Sequence, residues 1–222
     1  MLSEKGRIVT SRARRTVVIA ALVLAAGAAG AVGHRYYPFV LAHISPPDKP
    51  RPEKRMPWAT KMEAPPLENF YRVAPELYRG AQPDAAGIRK LKELGVKTIV
   101  NLRLAHSDAD EIGGLDIASE HIRIDPFKPD MDELVRFLRI ATDPNRTPVF
   151  VHCQRGTDRT GLAAAVYRIV VCGWTKTQAL DEMLNGPFGY DGLFPNVPVF
   201  LDSLDVAELR RRAQERQPPR RG

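Results

Sequence analysis

The sequence predicts an α/β fold: a single domain with a central, mainly parallel sheet flanked by helices, preceded by an N-terminal transmembrane helix. Two observations predict the domain. Between residues 67 and 205, short β-branched apolar runs alternate with stretches whose apolar residues recur at helical spacing. Within that pattern Thr147-Pro148-Val149-Phe150-Val151 runs into ten residues without a bulky apolar side chain, HCQRGTDRTG at 152–161. Leu162 to Cys172 follows, apolar and long enough for three helical turns. A third observation predicts the anchor: residues 16–33 carry no charge and follow the basic run Arg12-Ala13-Arg14-Arg15.

Taken in order, Phe70–Val73 and Leu77–Arg79 are short strands. Asp84 caps a helix over Ala85–Leu94, with Ile88, Leu91 and Leu94 on one face, and Gly95 stops it. Val96–Leu102 is a strand. Ser107–Glu120, polar and broken by Gly113-Gly114, is a loop or short helix. His121–Ile124 is a strand, and Asp130–Thr142 a helix with Leu134, Phe137, Leu138 and Ala141 inward. Val149–Val151 is a buried central strand. A helix opens at about Thr160, and another, capped by Thr175, runs to Leu184.

The flanks divide as follows: 1–15, a basic cytoplasmic N-terminus; 16–33, a transmembrane anchor or signal segment; 34–66, a Pro-rich linker; 67–205, the catalytic domain; 206–222, a basic disordered tail. The uncharged run exceeds the usual signal-peptide core of about 7–15 residues, which favours an uncleaved anchor. Basic residues ahead of it hold the N-terminus in the cytoplasm. The expected location is therefore the inner membrane, with a single pass and the catalytic domain on the outer, periplasmic side. Of the formal charge of +7, each terminal segment carries +4, which leaves −1 for the middle. A nucleic-acid-binding face is thereby excluded.

There are two cysteines, Cys153 and Cys172. A helix between them would separate them by roughly 18 Å, beyond disulfide reach. Cys172 is expected in the core, and Cys153 as a free thiol. No Cys/His spacing suits a metal, and no cofactor is implied.

The 152–161 loop joins a strand's carboxyl end to a helix N-terminus, where α/β sheets bind anions. Curled around a centre, its amides form an anion cradle, and Gly156 permits the curl. Arg159 offers a planar fork to two phosphate oxygens. Cys153 in that field becomes a thiolate, the nucleophile of an in-line phosphoryl transfer.

These residues resemble the HCxxGxxR[ST]G signature of the cysteine-dependent protein tyrosine and dual-specificity phosphatases. Every fixed position matches, from His152 and Cys153 through Gly156 and Arg159 to Thr160 and Gly161. Tyr78-Arg79-Gly80-Ala81-Gln82-Pro83 resembles the opening of the compact members, and Val96–Arg103 their next strand. The resemblance covers about residues 70–190 and is closest to the bacterial, plant and fungal atypical group. It implies a tyrosine-phosphatase-like fold. It also implies Cys153 as nucleophile, Arg159 on the phosphoryl oxygens, His152 orienting the loop, and Thr160 donating to the sulfur. Gln154, Arg155, Gly156, Thr157, Asp158 and Arg159 would line the phosphate, and no metal is needed.

The general acid would come from an aspartate some 20 to 35 residues before the cysteine. Asp125, before Pro126 at a strand end, fits best. Asp158, inside the loop, is the second candidate. Asp130 serves equally as a helix cap, and Asp132 suits the helix dipole. Arg155 either selects polyanions or faces solvent. Arg103 reads as structural. Asp181 and Glu182 read as a solvated helix face, and His34, His43, His106 and His121 as solvated or interfacial.

The expected function is a membrane-anchored phosphatase acting on phosphotyrosine or related phosphoesters through a phosphocysteine. Its partners would be a phosphorylated protein or small phosphoester and, through residues 16–33, the membrane. The alternatives are a catalytically weak phosphate-binding module, an inositol phosphate or phosphoinositide phosphatase using the same loop, and, last, a rhodanese-type sulfurtransferase.

Overall fold

The computed structural model describes residues 52, 54 and 56–215. Among them the chain runs β1 (Thr60–Lys61), β2 (Tyr71–Ala74), β3 (Leu77–Gly80), α1 (Ala85–Glu93), β4 (Thr98–Asn101) and α2 (Ala109–Ile112). It continues with β5 (Ala118–His121), α3 (Met131–Ala141), β6 (Val149–His152), α4 (Asp158–Val170), α5 (Lys176–Asn185), α6 (Asn196–Ser203) and α7 (Val206–Gln214). The strands form one sheet in the order β1-β2-β3-β6-β4-β5.

The sheet is mixed, mainly parallel with an antiparallel edge. β3, β6, β4 and β5 pair in parallel, whereas β1 and β2 add an antiparallel edge. Only Pro75 and Glu76 separate β2 from β3, and so short a connection permits only an antiparallel return.

Alternation along the strands sorts the core into two layers. Val149 and Val151 of β6 and Val100 of β4 enter the large cluster beneath α3 to α7. Phe150 and Ile99 point to the opposite face, where Ile88 and Leu91 of α1 cover them. α4 lies within the larger layer, packed by α3, α5, α6 and α7 and buried almost continuously from Thr160 to Ile169. Helix starts follow side-chain chemistry. Asp84 accepts from the Gly87 amide at 2.7 Å, and Asp130 and Thr175 open α3 and α5 with capping boxes completed by Glu133 and Gln178.

Several expectations are corrected. The strand expected at 121–124 is β5 at 118–121, so Asp125 lies in the following loop. Residues 206–214, expected in a disordered tail, form α7, whose Leu209 is buried against the core. The domain also begins earlier than residue 67: β1 adds to the sheet, Ala59 and Ala64 are buried, and Trp58 packs on the core. Cys172 is exposed, because α4 ends at Val170 and the chain turns outward there. Asp181 and Glu182 are buried, 1% and 2% exposed, because both sides of α5 are covered. Glu182 receives Arg168 Nε and Nη2 at 2.9 Å each and the Ala59 amide at 2.6 Å.

The inner-membrane, single-pass assignment with an outward domain is also withdrawn. Among the described residues no helix is long and apolar enough to cross a membrane. Residues 16–33, on which that expectation rested, lie outside the described residues, as do His34 and His43.

Candidate active site

β6 ends at His152, between β3 and β4, with Gly80 and Asn101 as its register partners. The chain then curls through residues 153–157 into α4. Gly156 sits at the apex with φ +74°. A Cβ there would lie 2.5 Å from the Gly80 carbonyl oxygen, so only glycine fits between the loop and the end of β3.

Six consecutive carbonyls of this loop are turned outward, each to a partner. His152 O accepts from the Leu102 amide at 2.9 Å, and Cys153 O meets His152 Nδ1 at 3.1 Å. Gln154 O accepts from the Gln82 amide at 3.1 Å, and Arg155 O from Asn69 Nδ2 at 2.9 Å. Gly156 O accepts from Arg79 Nη2 at 2.7 Å, and Thr157 O from the Gly161 amide at 2.7 Å. In a trans peptide the carbonyl of one residue and the N–H of the next point in opposite directions. Outward carbonyls at 153–156 therefore aim the amides of Gln154, Arg155, Gly156 and Thr157 inward. Among the described residues these four amides donate to no protein acceptor. The result is a ring of free donors at a helix N-terminus, above a buried thiol at Cys153.

His152 is fully buried, with Nε2 2.9 Å from Asp108 Oδ2. Asp108 Oδ1 accepts from Gln82 Nε2 at 2.9 Å and Asn101 Nδ2 at 2.8 Å. Burial works to raise the Asp108 carboxyl, but the bonds from His152 and Gln82 and the charge of His152 hold it below the usual range. His106 and Glu111 lie beside it, and the three bring ligand-type atoms within 4.8 Å of one another. Both Asp108 oxygens already take hydrogen bonds, from His152, Gln82 and Asn101.

Arg159 is half-buried, with Nη1 3.4 Å from Leu102 O. The Thr160 hydroxyl is buried and has no hydrogen-bond partner, so the expected bond to the Cys153 sulfur is not made. Gln154 and Arg155 point their side chains to solvent and serve the ring through their amides. Arg155 reaches Asp158 Oδ2 at 3.1 Å and Asp191 Oδ2 at 2.5 Å. The bond from Arg155 holds the Asp191 carboxyl down.

The candidate acids are placed differently from one another. Asp125 is buried, and Oδ1 accepts from the Phe127 amide at 3.0 Å. Its loop is fastened to α6 by Asn196 Nδ2, which donates to Pro126 O at 2.8 Å and Phe127 O at 3.2 Å. The rings of Phe127 and Phe194 meet edge to face at 5.3 Å. Asp130 is exposed and spent on capping α3; Asp132 pairs with Arg212. Asp158 is buried: Oδ2 accepts from Thr157 Oγ1 at 2.6 Å and from Arg155, while Oδ1 has no partner.

Sequence reasoning missed Asp108, Asn69, Arg79, Glu133, Asp191 and Asn196. Burial and the nearby charges of Asp130, Asp125 and Asp132 push Glu133 up to about 7. Arg79 and Gln82 stood inside a quoted motif without a role, Glu133 stood three residues after Asp130 at capping-box spacing, and the others carried no local signal.

The chain is similar to known phosphatases. A family profile described as "DSP-PTPase phosphatase fused to NAD+ Kinase" matches residues 71–187. The chain is 36% identical over 154 residues to the dual specificity protein phosphatase TpbA of Pseudomonas aeruginosa, spanning 69% of each chain. The crystal structure of a TpbA variant in complex with pTyr superposes with a TM-score of 0.65 at 34% identity, covering 73% of this chain and 100% of that one. Inositol diphosphatase DSP5 of Arabidopsis thaliana is 29% identical over 127 residues, 53% of this chain and 61% of that protein. The chain belongs to the cysteine-dependent protein tyrosine and dual-specificity phosphatase family, and it is a phosphoric monoester hydrolase.

Proposed function

We propose that the chain hydrolyses phosphotyrosine and related monoesters by two in-line transfers through a phosphocysteine at Cys153. The four outward-held carbonyls at 153–156 carry this reading, because they leave inward amides where a phosphoryl group's oxygens would sit. Arg159 adds its fork to those oxygens. The Cys153 thiolate attacks phosphorus. The S–P bond forms as the ester P–O bond breaks, and the leaving oxygen takes a proton from Asp125. Water then attacks phosphorus and gives a proton to the Asp125 carboxylate. The P–S bond breaks, which returns the thiolate and releases inorganic phosphate. Thr160, whose hydroxyl has no partner, is free to turn and supply a donor to the departing sulfur. His152 and Asp108 hold the base of the loop.

Asp125 is preferred to Asp158 because Arg155 and Thr157 already hold Asp158 as their acceptor. Asp130 is excluded by its capping role. Phosphotyrosine is preferred to an inositol diphosphate for two reasons. Arg155, the exposed cation of the loop, is occupied by two carboxylates, Asp158 and Asp191. The segment that meets the loop through Asp191 also carries an aromatic side chain, Tyr190.

The test is turnover by purified protein. Cys153→Ser is expected to lose on the order of 10⁴-fold or more on p-nitrophenyl phosphate. Asp125→Asn is expected to lose about 10²–10⁴-fold on alkyl phosphates and far less on p-nitrophenyl phosphate, whose leaving group needs little protonation. Equal losses on both substrates would remove Asp125 from the acid role. A kcat/KM for a diphosphoinositol above that for phosphotyrosine would overturn the substrate preference.

A further inference from the structure

We infer that Arg79 is a positioning residue of the site: from beneath the loop it aims the Thr157 amide at the substrate and supplies a fixed positive charge to the Cys153 thiolate. The inference rests on the phosphocysteine reading above and extends it to a residue outside the loop.

Arg79 lies on β3, and its side chain is almost wholly buried, 2% exposed. Its Nη2 donates to Gly156 O at 2.7 Å. That carbonyl belongs to the same peptide as the Thr157 N–H, so drawing the oxygen outward turns the amide inward. The guanidinium is fixed in this pose by stacking 3.9 Å over the Phe188 ring. Asn69 steadies both sides of the arrangement, donating to Arg155 O at 2.9 Å and to Phe188 O at 3.0 Å.

The charge has no directly bonded counter-ion. No carboxylate bonds Arg79 among the described residues, and its Nε has no partner. Burial lowers it to about 10, so it stays cationic at neutral pH. The groups that face it are Glu182 on α5, Cys153 in the loop, Tyr71 on β2 and Arg168 on α4. Glu182 is engaged with Arg168. Cys153 is the group of the reacting loop in that set, and a negative charge on it would interact favourably with Arg79. A buried cation without a carboxylate partner is costly, and an anion formed beside it offsets that cost.

The experiment uses the full chain as wild type, Arg79→Met and Arg79→Lys. Two quantities are read: the pH midpoint of Cys153 alkylation by iodoacetate, located by mass spectrometry, and the inhibition constant of inorganic phosphate. Arg79→Met is expected to raise the midpoint by about one pH unit, so that alkylation slows about tenfold at pH values below both midpoints. It is expected to weaken phosphate by about tenfold. Arg79→Lys keeps the charge but loses the planar reach. Its midpoint should stay within about 0.3 of wild type while phosphate weakens about fivefold.

A wild-type midpoint equal to that of free cysteine overturns both the phosphocysteine reading and the role of Arg79. A depressed wild-type midpoint that Arg79→Met leaves in place, with phosphate inhibition unchanged, overturns Arg79 alone. If Arg79→Met does not fold, Arg79→Lys decides: an unchanged phosphate constant overturns the proposal.

Discussion

Two buried arginines in this molecule stack on aromatic rings and have opposite surroundings. Arg168, on α4, lies 4.2 Å over Trp174, and two of its nitrogens meet the two oxygens of Glu182. A main-chain amide, that of Ala59, completes the Glu182 shell. Burial works against its charge, but the bonds and charge of Glu182 win, and Arg168 is raised. Arg79, on β3, lies 3.9 Å over Phe188, has a single bond to a carbonyl, and is lowered to about 10 by burial. The first arrangement closes on itself and belongs to the architecture. The second is open, as are the buried atoms around it: Thr160 Oγ1 and Asp158 Oδ1 have no partner, and four loop amides donate to no protein acceptor. The loop amides and Thr160 Oγ1 are left without partners where an anion is to come and go, although buried atoms such as Arg139 Nε and Asn196 Oδ1 also lack one.

The contrast can be broken most forcefully at Arg168. Arg168→Met strands a buried carboxylate and is expected to cost about 3–5 kcal/mol of stability. The kcat/KM of the folded protein should stay within about twofold. Chemical denaturation beside steady-state kinetics checks this, and a large kinetic loss at constant stability would erase the distinction between the two sites.

Gly156→Ala has the reverse profile. Its Cβ would press on the Gly80 carbonyl, and φ +74° strains any side chain. The loop must shift, and displacements near 1 Å cost about 10²-fold in rate. The expected result is a kcat/KM lower by about that factor, with a smaller loss of stability than for Arg168→Met.

Glu133 gives the smallest effect and extends the comparison to Asp125. Its folded value of about 7 lies above the ordinary 4.5. Between those values the folded state holds a proton that the unfolded state has released. The contribution is therefore complete below about pH 4.5 and lost as pH rises through about 7. Glu133→Gln should flatten the fall of the thermal midpoint between pH 5 and pH 8. Parallel curves for wild type and variant would contradict that assignment.

The reach of the sequence follows the same division between local and distant. Residues 152–161 disclosed a strand, a curled loop and a helix start because each depends on immediate neighbours. Asp84, Asp130 and Thr175 were legible as caps for the same reason. What lay hidden is held from afar. Arg79 bonds a carbonyl 77 positions away, Asn69 one 86 away, and Asn196 one 70 away. No periodicity encodes such pairs. Asp181 and Glu182 read as a wet face because charge on a helix usually is one, whereas Glu182 is buried against Arg168 and the Ala59 amide. Helix α7 escaped notice because its Arg-rich face outweighs the one buried leucine, Leu209.

The most direct test of the anion cradle is the pH dependence of Cys153 alkylation in the wild-type protein, with and without inorganic phosphate. The account predicts a midpoint well below the free-cysteine value of about 8.5, and protection of Cys153 when phosphate occupies the loop. A midpoint near that value with no protection would contradict it.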